Sequence, residues 1–149
     1  MATYVKTCYE VVNAPNHRVS KDPAKLRVLI ADDAPTMLDA MSWTIERGGD
    51  VEVVATASNG IGAIRAAQQV APDLAILDVN MPTRSGFEVL STLRDDPLTR
   101  EIRVILLTAR QQETDVIRGF GLGADDYVIK PFSPMELIAR LKRLLGKSV

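Results

Sequence analysis

Short apolar runs alternate along this chain with segments of helical periodicity, and that alternation restricts its fold more than any other feature. Runs at 27–31, 51–57, 74–77, 104–107 and 127–129 have strand length and are rich in Val, Ile, Leu and Ala, as strands covered on both faces are. Between them, helical patterns occupy 36–47, 61–70, 86–94 and 113–120, and a last helix is expected over 134–145. Strands alternating with helices build βαβ units, which require a parallel sheet with helices on its faces. The last helix has the clearest pattern, with Leu137, Ile138, Leu141, Leu144 and Leu145 on one face. Ser133 stands as its cap, Pro134 as its starting residue, Glu136 at the capping-box position and Gly146 as its stop. Five such units fill the 149 residues as one domain with a sizeable core.

The net charge of −1 shows no basic excess, which disfavours direct nucleic-acid binding. A single cysteine, Cys8, leaves no internal disulfide and fits a reducing compartment. No apolar run approaches the roughly 20 residues of a membrane span, and the N-terminus lacks the apolar core of a secretory signal. A cytoplasmic protein without membrane insertion is expected. Residues 1–24 stand outside the strand–helix rhythm: Tyr4, Val5, Tyr9, Val11 and Val12 precede a polar stretch with Pro15, Lys21 and Pro23. They read either as a tail or as a segment that docks on the 25–149 domain or on a second copy. On the first helix Met37, Leu38, Met41 and Ile45 share the core face while Trp43 projects to the other side, where such a segment could cover it.

In open α/β sheets, ligands gather at the carboxyl ends of the strands. Here the run Leu74-Ala75-Ile76-Leu77 delivers Asp78 to such an end, and the chain then turns at Met81-Pro82. The first run ends in Asp32-Asp33. If these two strands are neighbours, three carboxylates converge, and each raises the pKa of the others unless a cation neutralises them. An all-oxygen set with open positions suits Mg2+; the plainer reading is that Asp32 or Asp33 caps the helix that starts near Pro35. The fourth run ends at Thr108 and the fifth at Lys130-Pro131. Singly, Thr108 is ordinary strand composition and Lys130 a surface charge. Together, a hydroxyl and an ammonium beside a carboxylate and a metal cradle the oxygens of a phosphoryl group.

With Asp32-Asp33, then Asp78-x-x-Met81-Pro82-x-x-x-Gly86, then Thr108, then Lys130-Pro131, residues from about Lys25 to Lys147 resemble the receiver domain of two-component response regulators. The resemblance implies a flavodoxin-like, doubly wound sheet of five parallel strands in the order 2-1-3-4-5 with five helices. It implies that Asp78 is the phosphoacceptor, taking a phosphoryl group from a phosphohistidine on a histidine kinase or a histidine phosphotransfer protein. Asp32, Asp33, Asp78 and the backbone carbonyl of Asn80 would hold Mg2+, and Lys130 would pair with the phosphoryl oxygens. Thr108 would move to bond one of them and Tyr127 would swing inward, a two-state switch; the plainer reading of Tyr127 is an edge-strand aromatic. Asn80 and Arg110 occupy the positions that tune the acyl-phosphate lifetime in the family, although Arg110 also reads as a solvated charge.

The same resemblance places the output surface on the fourth helix, fifth strand and fifth helix, where a downstream protein or a second copy would bind. Gly119, Gly121 and Gly123 weaken the fourth helix, each Gly costing about 1 kcal/mol against Ala. Residues 123–134 with Glu136, Arg140 and Lys142 are similar to the winged-helix transcription-factor branch, making Asp125, Asp126, Arg140 and Lys147 candidates for pairs across a dimer. Val116 departs from that branch, which usually has a basic residue there. The chain ends at Val149, so a stand-alone receiver is the first expectation and a receiver of a DNA-binding regulator, with its effector domain outside this chain, the second. Aspartyl-phosphate hydrolases usually have a second Asp two residues after the nucleophile, and Asn80 stands there instead, so a regulatory phosphoacceptor rather than an enzyme is expected. His17, the only histidine, lacks the helical-bundle context of a phosphodonor, and neither it nor Cys8 has partners for a metal site.

Overall fold

The computed structural model describes residues 9–11, 25–109, 117–118, 120–144 and 146. The elements run β1 (Tyr9–Val11), β2 (Leu26–Ala31), α1 (Pro35–Glu46), β3 (Val51–Ala57), α2 (Gly60–Val70), β4 (Leu74–Asp78), α3 (Gly86–Asp95), β5 (Arg103–Ala109), β6 (Asp126–Lys130) and α4 (Pro134–Leu144). They form one sheet in the order β1-β3-β2-β4-β5-β6. The five strands from β2 to β6 are parallel and keep the expected 2-1-3-4-5 order. β1 adds a sixth strand, antiparallel on β3, with Tyr9 opposite Ala57 and Val11 opposite Ala55. β1 lies within the N-terminal extension. Its neighbours are β3 and α2, so it does not cover Trp43, which stays 64% exposed beneath the Arg47 guanidinium.

Two apolar layers sandwich the sheet. On one face Leu29, Ala55, Leu77, Val104 and Leu106 pack with Ala63, Ala66, Ala67 and Val70 of α2 and with Leu90 and Leu93 of α3. On the other, Val28, Ile30, Ile76, Ile105 and Leu107 pack with Met41 and Ile45 of α1 and with Leu137 and Leu141 of α4. The near-continuous apolar character of β2, β4 and β5 follows from this two-sided burial. Four helices lie among the described residues; the fourth of the five expected falls mostly outside them, with helical residues at 117, 118, 120 and 121.

Local chemistry sets the helix ends. The Asn59 side chain accepts from the Gly62 N–H at 2.8 Å to open α2, and Ser85 with Glu88 forms a reciprocal capping box on α3. Ser133 Oγ accepts from the Glu136 N–H at 3.1 Å to open α4, while the Glu136 carboxylate faces Arg140. Gly146, at φ +71, supplies the left-handed stop. Arg27 of β2 donates to the Val70 and Ala71 carbonyls at 2.6 Å each, placing a cation at the negative end of the α2 dipole.

Candidate functional site

Because β2 and β4 are neighbours, the carboxylates of Asp32, Asp33 and Asp78 meet at the carboxyl edge of the sheet, with one oxygen of each within 4.8 Å of the others. Asp32 and Asp78 are buried and Asp33 is exposed. Lys130, at the end of β6, reaches over this cluster from two strands away: its Nζ lies 2.9 Å from Asp32 Oδ2 and 3.3 Å from Asp78 Oδ1. The Asp32 carboxylate also accepts from the Ala34 N–H at 3.0 Å, but this is a turn contact ahead of α1 and not the helix cap considered from sequence: Ala34 is the N-cap residue and no side chain caps the helix.

The electrostatics follow from this crowding. Burial and the Asp32 charge raise the pKa of Asp78, against the Lys130 charge, a Lys130 hydrogen bond and the Asn80 backbone N–H, which lower it. Burial pulls the Lys130 pKa down, but its hydrogen bond to Asp32 and the charges of Asp78 and Asp32 outweigh that and raise it. The site therefore keeps a fixed positive charge facing a carboxylate that is reluctant to ionise. Such a donor set fits a hard divalent cation: three carboxylates at one edge, one of them exposed, leave open positions for water or a ligand oxygen.

The loop after β4 is held tightly. Gly86 donates its N–H to the Val79 carbonyl at 2.9 Å, and a Cβ there would lie 2.6 Å from the Asp78 carbonyl oxygen. Only glycine lets α3 begin this close behind the acceptor strand, which explains the glycine eight residues after Asp78. Thr83, at φ +69, accepts from the Ile61 N–H at 3.1 Å, fastening the loop to the start of α2. Asn80 is exposed beside Asp78.

Thr108 is buried on β5, in register with Ile129 of β6, while Tyr127 pairs with Leu106. The alternation of side chains puts Thr108 and Tyr127 on the same sheet face. Tyr127 is half-buried, its ring edge-on to Phe120 at a centroid distance of 5.4 Å. Arg110 and Val116 lie outside the described residues, as do Lys147, His17 and Cys8.

Of the residues considered for pairing across a dimer, Asp125, Asp126 and Arg140 have partners within the chain. Asp126 is buried and bonded to Arg140 at 2.8 Å and to Arg143. Asp125 accepts from Arg94 at 3.0 Å and from the Val104 N–H at 2.8 Å. Sequence reasoning missed Arg94, which also donates to the carbonyls of Arg100, Ile102 and Gly123 and so ties the end of α3 to the approach to β6. Its partners lie up to 31 positions away, beyond any local pattern. A groove of about 610 Å³ runs between α1 and α4, lined mainly by apolar groups including Met37, Met41, Phe132 and Leu137, with Lys130 at its margin. No helix among the described residues is long and apolar enough to cross a membrane.

Residues 28–142 match the family description "Response regulator receiver domain". The chain is 40% identical over 122 residues to the alkaline phosphatase synthesis transcriptional regulatory protein PhoP of Bacillus subtilis, covering 82% of this chain and 49% of that one. It is 43% identical over 123 residues to the DNA-binding dual master transcriptional regulator RpaA of Synechocystis, covering 82% and 50%. The chain thus spans about half the length of these curated relatives. Among solved structures, the chemotaxis response regulator CheY4 of Vibrio cholerae superposes with a TM-score of 0.73 at 31% identity, covering 80% of this chain and 98% of that one.

Proposed function

The chain belongs to the response regulator receiver domain family of two-component signalling, and from that premise we propose that Asp78 is its phosphoacceptor. The observation that carries this reading is the meeting of Asp32, Asp33 and Asp78 under the Lys130 ammonium. A carboxylate oxygen of Asp78 attacks the phosphorus of a phosphohistidine on a histidine kinase or phosphotransfer protein. An O–P bond forms, the N–P bond breaks, and the imidazole leaves with the electron pair and takes up a proton. Asp32, Asp33, Asp78 and the Asn80 carbonyl would hold Mg2+, which when bound supplies positive charge to the phosphoryl oxygens. Lys130 supplies a second, permanent charge to the same oxygens, and its pairing with Asp32 keeps it aimed there.

Thr108 and Tyr127 form the switch: Thr108 turns toward the phosphoryl group and Tyr127 leaves Phe120 for the space thereby opened. Asn80 and Arg110 set how long the acyl phosphate survives. The apolar groove beside Lys130 suits the donor's approach, and the Tyr127 side of β6 with α4 is the output surface toward a downstream protein or a second copy. A second reading, supported by the similarity to DNA-binding regulators, is a receiver that controls transcription through an effector domain. The exposed amide of Asn80, which cannot donate a proton as an acid would, weighs against a hydrolase.

The test is intact mass after incubation with Mg2+ and acetyl phosphate. One added phosphoryl group in the native chain, absent in Asp78→Asn and absent without Mg2+, is the expected outcome. Equal labelling of Asp78→Asn would refute it.

A further inference from the structure

We propose that the outer edge of β3 is a strand-acceptor surface for the chain's own residues 9–11, and that filling it supports the acidic pocket, so that strand docking and divalent-cation uptake reinforce each other. This rests on the reading of the pocket as a cation site. β1 meets β3 at the end that matters: Tyr9 pairs with Ala57, and the Ala57 carbonyl accepts the Asp32 N–H at 3.0 Å. Asp32 in turn holds Lys130. Immediately beyond Ala57, the Gly60 N–H donates to the Pro82 carbonyl at 3.1 Å and the Ile61 N–H to Thr83 Oγ1 at 3.1 Å. That contact has no slack, since a Cβ on Gly60 would lie 2.1 Å from the Arg84 carbonyl oxygen. Two walls of the pocket, the Asp32 turn and the loop after Asp78, therefore hang from the last residues of β3.

Without β1, β3 would be an edge strand, and the ends of edge strands open most readily. With β1 in place, β3 is paired on both sides. The occupant is local. Val11 lies opposite Ala55 and Leu26 opposite Val51, a separation of roughly 16 Å from strand spacing and rise. Residues 12–25 could reach about 45 Å fully extended, so the segment reaches its own edge with length to spare. Tethering through a chain of this length gives an effective concentration of about a millimolar, well above that of a second copy at micromolar protein. Three paired residues make a marginal strand, so its occupancy responds to small free energies. Linkage then requires that whatever docking does for cation affinity, the cation does for docking.

The experiment compares the full native chain with the full chain carrying Tyr9→Pro and Glu10→Pro. Adjacent prolines remove the strand N–H whichever of the two faces β3. The readouts are Mg2+ affinity by amide NMR shifts, hydrogen exchange at residues 9–11 and 55–57, and solution mass. The expected result is a monomer in both cases, loss of protection at 55–57 in the variant, and Mg2+ binding weakened about fivefold or more. In the native chain Mg2+ should slow exchange at 9–11 by the same factor. Equal protection at 55–57 in native chain and variant would overturn the docking; lost protection with Mg2+ affinities within twofold would overturn the coupling. A native dimer that the prolines convert to a monomer would replace the chain's own segment with that of a second copy. No Mg2+ response in the native chain would overturn the cation reading of the pocket and this inference with it.

Discussion

Replacing Gly86 by Ala adds one methyl group where the structure has no room for it. The new Cβ would lie 2.6 Å from the Asp78 carbonyl oxygen, 3.0 Å from the Val79 Cα and 3.1 Å from the Asp78 carbonyl carbon. All three are backbone atoms of the acceptor strand and the residue after it, so no side-chain rotation relieves the clash. Restoring ordinary contact moves the start of α3 and the end of β4 apart by roughly 0.8 Å. Overpacking of this kind costs about 1–3 kcal/mol, and stretching the Gly86-to-Val79 hydrogen bond adds about 1 kcal/mol. We expect a loss of about 2–4 kcal/mol in urea unfolding, read as a lower midpoint at unchanged slope. Because the displaced carbonyl belongs to Asp78 itself, acetyl phosphate labelling should slow by up to about 100-fold, as a misplacement near 1 Å can cause. Gly48→Ala is the control: nothing lies within 4 Å of its Cβ, so the same substitution there should be neutral or add up to about 1 kcal/mol. A Gly86→Ala protein with native midpoint and native labelling rate would refute the argument.

In the metal-free protein the Asp78 carboxyl should titrate above the ordinary 3.8, because burial and Asp32 raise its pKa. The native state then holds its proton more tightly than the unfolded chain. The associated loss of stability is thus present above the folded pKa and relieved as pH falls toward and below 3.8. Carbon NMR of Asp78 should show this midpoint, and Lys130→Met should move it further up; a midpoint at or below 3.8 would contradict the burial argument. Asn59→Ala removes the acceptor of the Gly62 N–H and should cost about 1 kcal/mol in thermal or urea unfolding. Leu137→Ala empties a fully buried position between α4 and the sheet and should cost about 2–5 kcal/mol in urea unfolding while the chain still accepts a phosphoryl group.

The βαβ rhythm was legible because each parallel strand is buried on both faces and so reads as an uninterrupted apolar run. Leu74 to Leu77 and Val104 to Leu107 show this most plainly, and the structure lengthens each by only a residue or a few. The meeting of Asp32, Asp33, Asp78 and Lys130 was legible for a related reason: a parallel sheet sends every strand's last residue to one edge. β1 was left open because Tyr9–Val11 is too short to carry a period, and its pairing is decided by a strand more than forty residues away. The in-chain partners of Asp125 and Asp126 were missed because Arg94 and Arg143 are brought to them by the packing of α3 and α4, not by spacing. The groove between α1 and α4 likewise exists only once the two helices are packed side by side.

The most direct test of the account is to locate the phosphoryl group. Treating the labelled chain with borohydride reduces an aspartyl phosphate to homoserine, and tandem mass spectrometry of the resulting peptides identifies the residue. The account predicts conversion at Asp78 alone, dependent on Mg2+ and greatly slowed by Lys130→Met. Conversion at Asp32 or Asp33, or Asp78 conversion indifferent to both Mg2+ and Lys130, would contradict it.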